Sequence, residues 1–364
     1  MDDRKPDTMK RHKICFLLYG LNAGGIETYL LRFLKFYGNA ISATVIVKNG
    51  EKGVLYDEYI KTGAKIVLMR MNYFNMNAWL MLFKFFTHEK PDAACDMGAN
   101  FAGIPLTIAR KAGIKKRVAF YRQSSHLFPL TWLNVVYANF VNWLVYKNAT
   151  VILANSHHAL NFYFGKKIDS RCKVIKNGVN KNLFDIKDSK NVLRKYFGLP
   201  ADKIIVGHTG RVTPAKNHQT IIEVARRVCA NNKNAVFVLA GNGTQDLPEQ
   251  NGLITLGYCS EIPKLLKTFD IFYFPSVTEG QPNSLLEAMI SGLPFVASGI
   301  APIMECVPEN NFSQLVAATD IEAGVQKIEE IIHSIDKNKY CCKMWAMEEY
   351  DADRNFNRFY TELI

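Results

Sequence analysis

The sequence predicts an α/β chain of two doubly wound, parallel-sheet domains in tandem. Three observations carry this. Short apolar runs of strand length alternate with amphipathic stretches of helix length. The alternation restarts after a polar turn near residue 177. Several strands run straight into glycine-bearing turns that open a helix. At 364 residues the chain exceeds what most single cores hold and suits two domains. With 48% hydrophobic and 21% charged residues it is not a disordered or low-complexity chain.

In order, residues 13–19 (KICFLLY) read as a buried strand. The turn and amphipathic helix GLNAGGIETYLLRFLKF follow, then a second strand at 41–47 and a third at 65–69. Further short strands fall at 91–95, 116–120 and 150–154, with helical stretches such as 77–87 and 130–147 between them. Residues 13–177 therefore form one α/β domain. The pattern restarts with a strand at 173–175 and a turn at 177–180. Strands follow at 203–210, 235–240, 253–256, 271–275 and 295–297, and helices at 217–230, 261–269 and 283–291. The last stretch, 345–363, reads as one aromatic helix able to pack back on the first domain. The expected division is 1–178, 179–345 and 346–364. Ligands of such sheets bind beyond the carboxyl ends of the strands, so two such domains predict a cleft that holds two substrates.

Charge is one-sided. Residues 1–180 hold 26 Lys/Arg against 11 Asp/Glu, and the remainder 19 against 22. A basic first half fits an anionic partner, whether nucleic acid, acidic lipid or a phosphorylated substrate. The eight cysteines are scattered without a CxxC or zinc-like spacing and read as small core hydrophobes. The first residues, MDDRKPDTMKRHK, lack the apolar region of a signal peptide, and the expected compartment is the reducing cytoplasm. The longest apolar stretch, 127–145, is interrupted by Asn134, Asn139 and Asn142. It reads as a buried or interfacial helix rather than a membrane span.

Three features carry chemistry. The turn at 20–27 contains Gly24 and Gly25 at the start of a helix, where backbone N–H groups can meet an anion. Its spacing is not that of a dinucleotide fingerprint, and the second strand ends in Val47-Lys48-Asn49 without an acid. A tight turn with no ligand is the other reading. The turn at 208–218 places Arg211 and Lys216 just past a strand and before a helix, a good cradle for a diphosphate. Residues 275–292, PSVTEGQPNSLLEAMISG, set Glu279 in a loop and Glu287 in the following helix, eight positions apart. A helix acid suits vicinal hydroxyls, as on ribose. The helix start at Asn283, Ser284 and Leu285 offers N–H groups to a phosphate, and Glu279 suits sugar hydroxyls. Glu305 follows the next strand.

The landmarks NAGGIE (22–27), VIKNGVN (174–180), GHTGRVTPAKNH (207–218), LAGNG (239–243), 269–298 and IMECV (303–307) occur in an order and spacing that resemble retaining GT-B glycosyltransferases of family 4, of the bacterial surface-polysaccharide type. That resemblance implies two Rossmann-like domains whose parallel sheets face a cleft, with a C-terminal helix crossing back to the first. It implies that Gly24 and Gly25 approach the donor phosphates, that Arg211 and Lys216 hold the diphosphate, and that Glu279 lies near the transferred sugar. Glu287 would bind the nucleotide's ribose, and residues 257–261 would flank the base. Gln281 and Pro282 stand where many members have an aromatic and a glycine.

On the acceptor side, Arg122 and His126 follow the strand at 116–120. His126 is the candidate functional histidine, with a structural or surface role as the alternative, and Arg122 can meet an acceptor phosphate. His157 and His158 border the same edge but are poorly spaced for a metal. The expected reaction moves a hexose or N-acetylhexosamine, with a UDP-sugar favoured as donor, to a lipid-linked or saccharide acceptor. It needs neither cofactor nor metal and involves no nucleic acid. Peripheral contact with an anionic membrane is expected through 82–86 with Trp79 and Lys84. The rival readings are a GT-B epimerase or phosphorylase and, more remotely, a nucleic-acid-binding module.

Overall fold

The computed structural model describes residues 11–22, 24–72, 75–122, 131–334 and 338–364. The chain divides into two compact units, 1–176 together with 355–364, and 177–354. The sheet of the first unit has, among the described residues, seven strands. They are β1 His12–Leu18, β2 Ile41–Val47, β3 Lys65–Leu68, β4 Ala93–Asp96, β5 Lys116–Tyr121, β6 Val151–Ala154 and β7 Cys172–Val174. Their order is β3-β2-β1-β4-β5-β6-β7 and every neighbouring pair is parallel. Parallel strands need crossover helices, which cover both faces, so β4 (AACD) and β6 (VILA) are buried along their whole length. The strand read at 173–175, inside the expected first division, is β7, the edge of this first sheet, where its residues pair in parallel with β6.

The second unit repeats the plan with β8 Ile204–Thr209, β9 Ala235–Ala240, β10 Leu253–Thr255, β11 Ile271–Phe274, β12 Phe295–Ser298 and β13 Leu315–Val316. The order is β10-β9-β8-β11-β12-β13, again all parallel. In each sheet the strand order reverses once, between β1 and β4 and between β8 and β11. Open parallel sheets leave a ligand crevice at such a switch point.

The C-terminal stretch predicted as one helix is two, Lys343–Glu349 and Ala352–Leu363. Asp351 makes the break: its carboxylate accepts the Arg354 N–H at 2.9 Å and caps the second helix, while the buried Tyr350 donates its hydroxyl to the Cys306 carbonyl. The second helix closes the first unit. Phe359 is fully buried against Phe33 (ring centroids 4.8 Å apart), Phe120 (5.1 Å) and Tyr29 (5.8 Å), and Phe356 packs beside it on Tyr29 and Phe33. Lys173 and Glu362 add an ion pair at the rim.

This aromatic cluster makes a direct prediction. Phe359→Ala should destabilise the first unit by about 3–5 kcal/mol, since the surrounding rings cannot collapse into the space. Urea unfolding followed by tryptophan fluorescence measures it.

Candidate functional site

In the second unit one of the two cations predicted after β8, Lys216, meets the acid predicted after β11. Lys216 Nζ meets Glu279 Oε1 at 2.5 Å, with both side chains largely buried, and lies 4.7 Å from the centre of the Phe274 ring. The two loops are tied through their backbones as well. The Val277 N–H donates to the Ala215 carbonyl at 2.9 Å, and the Asn217 side-chain amide donates to the carbonyls of Pro275 and Ala318. Asn217 sits at φ +56°, a left-handed conformation that asparagine tolerates better than most residues. Arg211 is exposed on the same loop as Lys216. That loop is stitched to the next strand end by Gly210 N–H to Ala240 O (2.8 Å) and Val212 N–H to Asn242 O (2.9 Å). Gly241, at φ +147°, permits this approach: a β-carbon there would lie 2.1 Å from the Gly210 carbonyl oxygen. The Gly241 N–H in turn donates to Gly257 O, and Thr244 Oγ1 accepts the Gly257 N–H. Beyond it, Tyr258 is exposed, and Glu261 accepts hydrogen bonds from Tyr196 and Lys264.

The helix Asn283–Ser291 starts at Pro282 with no side-chain cap. The Leu285 N–H already donates to the Pro282 carbonyl at 3.0 Å, and the Leu285 side chain is core. Asn283 and Ser284 supply the N–H groups that no carbonyl within the helix can accept. Glu287 projects from the buried side of this helix and is 9% exposed. Gln281, the departure from the family pattern, is also buried, and its side-chain oxygen accepts the Asn177 N–H. The Asn177 amide donates to Asn283 Oδ1 at 2.6 Å, so the helix start is locked to the 177 turn.

Behind the cation loop lie two histidines that sequence reasoning passed over. His208 is fully buried, stacked on Phe274 and edge-on to His218. Its Nδ1 lies 2.9 Å from the Tyr273 carbonyl, which only accepts, so this nitrogen carries the proton. Burial, and next the neighbouring His218, push its pKa down to about 3. His218 is shifted down as well, by burial first and then by Lys216. Both are neutral at physiological pH, which leaves Lys216 as the cation of this cluster. A histidine among apolar strand residues gives no periodic signal, so the sequence did not reveal the pair.

The first unit has its own candidate site. A cavity of about 550 Å³ opens at the carboxyl ends of its strands. Its apolar wall includes Met71, Trp79, Met97 and Phe101, and its polar groups include Lys48, Arg122, Glu27 and Asn72. Lys48, just past β2, bonds both oxygens of the fully buried Asp96 at the end of β4 (2.9 and 3.0 Å). The Gly98 N–H donates to the same carboxylate at 2.7 Å. Arg122, just past β5, is buried, with its guanidinium carbon 3.6 Å from the centre of the Tyr29 ring. Burial lowers its pKa to about 10, so it remains a cation at neutral pH. Asn155 at the end of β6 donates to its carbonyl. The Lys48–Asp96 pair was legible only as a strand ending in lysine and another ending in aspartate, a signal too common to stand out.

Gly24 precedes the helix Gly25–Tyr37 and no side chain caps it. A β-carbon on Gly25 would meet nothing within 4 Å, so the space there is open. His126 lies outside the described residues. His157 and His158 begin the helix His157–Phe164, which Ser156 caps. No group of three His, Cys, Asp or Glu that could hold a metal occurs among the described residues. Glu305 ends the short helix Ala301–Met304 and is half-buried. In the segment 82–86, Leu82 and Phe86 are fully buried in the first unit's core with Cys15, Leu17 and Ala109, while Lys84 is exposed.

Two family models match the chain. "Glycosyltransferase Family 4" covers residues 23–183 and "Glycosyl transferases group 1" covers residues 203–334. The chain is a family 4 glycosyltransferase. The enzyme is 27% identical over 305 residues to the putative glycosyltransferase EpsF of Bacillus subtilis (strain 168), covering 79% of each chain. It is 30% identical over 187 residues to the UDP-Gal:alpha-D-GlcNAc-diphosphoundecaprenol alpha-1,3-galactosyltransferase of Escherichia coli, a match spanning 46% of this chain and 48% of that protein. Among solved structures, Anabaena Alr3699/HepE in complex with UDP and glucose superposes with a TM-score of 0.81. That match has 20% identity and covers 97% of this chain and 99% of the other, which establishes a shared GT-B fold.

Two predictions follow from the buried charges of the enzyme. Lys48→Met leaves the Asp96 carboxylate buried without its partner and should cost about 3–5 kcal/mol, while the double variant with Asp96→Leu recovers much of the loss. Urea midpoints of the three proteins measure this. His208 binds its proton far more weakly folded than unfolded. Its contribution to stability is therefore complete above the unfolded pKa near 6.5 and is lost progressively as pH falls toward 3. Replacing it with the non-titrating His208→Gln should flatten the pH dependence of stability between these limits by about 1.4 kcal/mol per pH unit.

Proposed function

We propose that the enzyme transfers a hexose or N-acetylhexosamine from a UDP-sugar to a hydroxyl of a lipid-linked or saccharide acceptor. The anomeric configuration is retained, and the pathway is surface-polysaccharide synthesis. The observation that carries the donor assignment is the Lys216–Glu279 pair, held at 2.5 Å by two loops that are bonded to one another. It places a fixed cation and a fixed carboxylate in one position, a cation for phosphate and a carboxylate for sugar hydroxyls. In this reading Arg211, Lys216 and the N–H groups of Asn283 and Ser284 take up the charge that develops on the departing diphosphate. These groups do the neutralising, without a metal ion. Glu287 accepts from the ribose hydroxyls. Glu279, oriented by Lys216, holds hydroxyls of the transferred sugar. UDP is favoured because the solved HepE structure holds UDP and the E. coli relative is named for UDP-Gal.

The acceptor is assigned to the first-unit cavity. Trp79 and Phe101 offer flat apolar faces for a sugar ring or an apolar segment, and Arg122 offers a buried cation for an acceptor phosphate. The E. coli relative acts on a diphosphate-linked lipid, which supports this class. In the proposed step, the bond from the anomeric carbon to the β-phosphate oxygen breaks. The acceptor oxygen bonds to that carbon on the same face, and its proton passes to the departing phosphate.

The test is turnover of UDP-sugars followed by proton NMR of the product. The expected product keeps the donor's anomeric configuration, and Arg211→Ala lowers kcat by about 10²–10³ as a lost transition-state cation should. An inverted product, or unchanged turnover in Arg211→Ala, would contradict the mechanism.

A further inference from the structure

We infer that His208 and His218 are positioning residues of the second unit's cation loop: their rings meet across its two ends and hold Lys216 where the proposed function needs it. The loop leaves the end of β8 at His208 and Thr209 and enters the helix His218–Asn231 at its first residue. The two histidines therefore bracket the segment that carries Arg211 and Lys216. Their rings contact each other edge-on, with centroids 5.2 Å apart. The contact closes the loop at its base, as a clasp would. His208 is in turn stacked on Phe274, the ring that Lys216 Nζ approaches to 4.7 Å.

Gly210 shows how close the clasp and the cation are. A β-carbon placed on it would lie 3.0 Å from His208 Nε2, and 3.5 and 3.6 Å from Lys216 Cδ and Cε. The ring and the lysine stem thus share a space that glycine leaves clear. His208 keeps its proton on Nδ1, for the Tyr273 carbonyl, so Nε2 presents a lone pair there. Lys216 is also a charge whose field reaches both imidazoles.

Packing alone does not account for the pair. His208 is fully buried and His218 is 5% exposed, yet His208 Nε2 and both ring nitrogens of His218 have no hydrogen-bond partner among the described residues. A core position that needs only volume takes Leu, Ile or Phe and strands no polar atom. The choice of imidazole follows from the cation instead. A leucine would face the lysine stem with no dipole. An acid would add a second carboxylate to Glu279 and cancel the charge meant for phosphate. Another lysine or arginine would repel Lys216. A neutral imidazole offers a lone pair to the ammonium and leaves its net charge intact. Both rings are neutral at physiological pH, as this role requires.

The inference rests on Lys216 being a diphosphate ligand, and the experiment separates the two. UDP and uridine are titrated by calorimetry, with chelator present, into wild type, Lys216→Met, His218→Leu and the double variant. Lys216→Met should weaken UDP about tenfold and His218→Leu about fivefold, while uridine, which carries no phosphate, binds all four alike. The double variant should be no weaker than Lys216→Met alone, because the histidine acts through the lysine. His218→Gln, again a neutral donor and acceptor, should bind UDP more tightly than His218→Leu. Uridine binding reports that each variant is folded. If His218→Leu does not fold, Gly210→Ala takes its place in the cycle, since it sets a methyl group against both His208 and Lys216. Wild-type UDP affinity in His218→Leu, equal losses of UDP and uridine, or additive losses in the double variant overturn the clasp and leave the donor assignment standing. Unchanged UDP affinity in Lys216→Met overturns the role of Lys216 in donor binding, and the clasp with it.

Discussion

Parallel pairing is the constraint on which the rest depends. A strand cannot return to a parallel neighbour without a crossover, and every crossover brings the next helix start to the carboxyl edge of the sheet. Each unit therefore concentrates strand ends, helix starts and loops on one edge. Lys48 follows β2, Asp96 ends β4 and Arg122 follows β5. Arg211 and Lys216 follow β8, and Glu279 follows β11. The apolar strand interiors fix the backbone; the residues just beyond them carry the charge.

Those charges are held by fixed partners. In the second unit Lys216 is set by Glu279, by the Phe274 ring and by loops bonded to one another, so in the proposed donor site a diphosphate would meet a cation already in place. Such preorganisation avoids reorientation during reaction. The neutral histidines behind the loop keep further positive charge away from Lys216. In the first unit the Lys48–Asp96 pair braces the switch point between β1 and β4, and Arg122 packs against Tyr29 and Phe120, rings that also hold the C-terminal helix. The first-unit cavity and the closure of the first unit thus share side chains.

Most strands were legible because buried parallel strands read as unbroken apolar runs, and the 275–292 segment was legible because its acids and helix start keep a characteristic spacing. Sheet membership was harder. Cys172–Val174 lies beside the turn that starts the second unit, and only pairing with β6 assigns it to the first. β13 has two residues and no pattern to detect. The break at Tyr350 was written as Asp351 in a capping position, yet the flanking aromatic periodicity hid it. Around 82–86 the composition read as apolar without showing which residues are core: Leu82 and Phe86 are buried, while Leu80, Met81 and Lys84 are exposed. Gln281 looked like a departure from a pattern, and its place in the fold is as the hydrogen-bond acceptor that ties the 177 turn to the segment opening the helix Asn283–Ser291.

The central claim is that the carboxyl edge of the second unit binds the nucleoside diphosphate. Calorimetric titration of UDP into wild type and into Glu287→Ala, with chelator present throughout, tests it most directly. The account predicts saturable binding by wild type, weakened about tenfold or more when the carboxylate that accepts the ribose hydroxyls is removed. Equal binding by the two proteins, or none by a folded wild type, would contradict it.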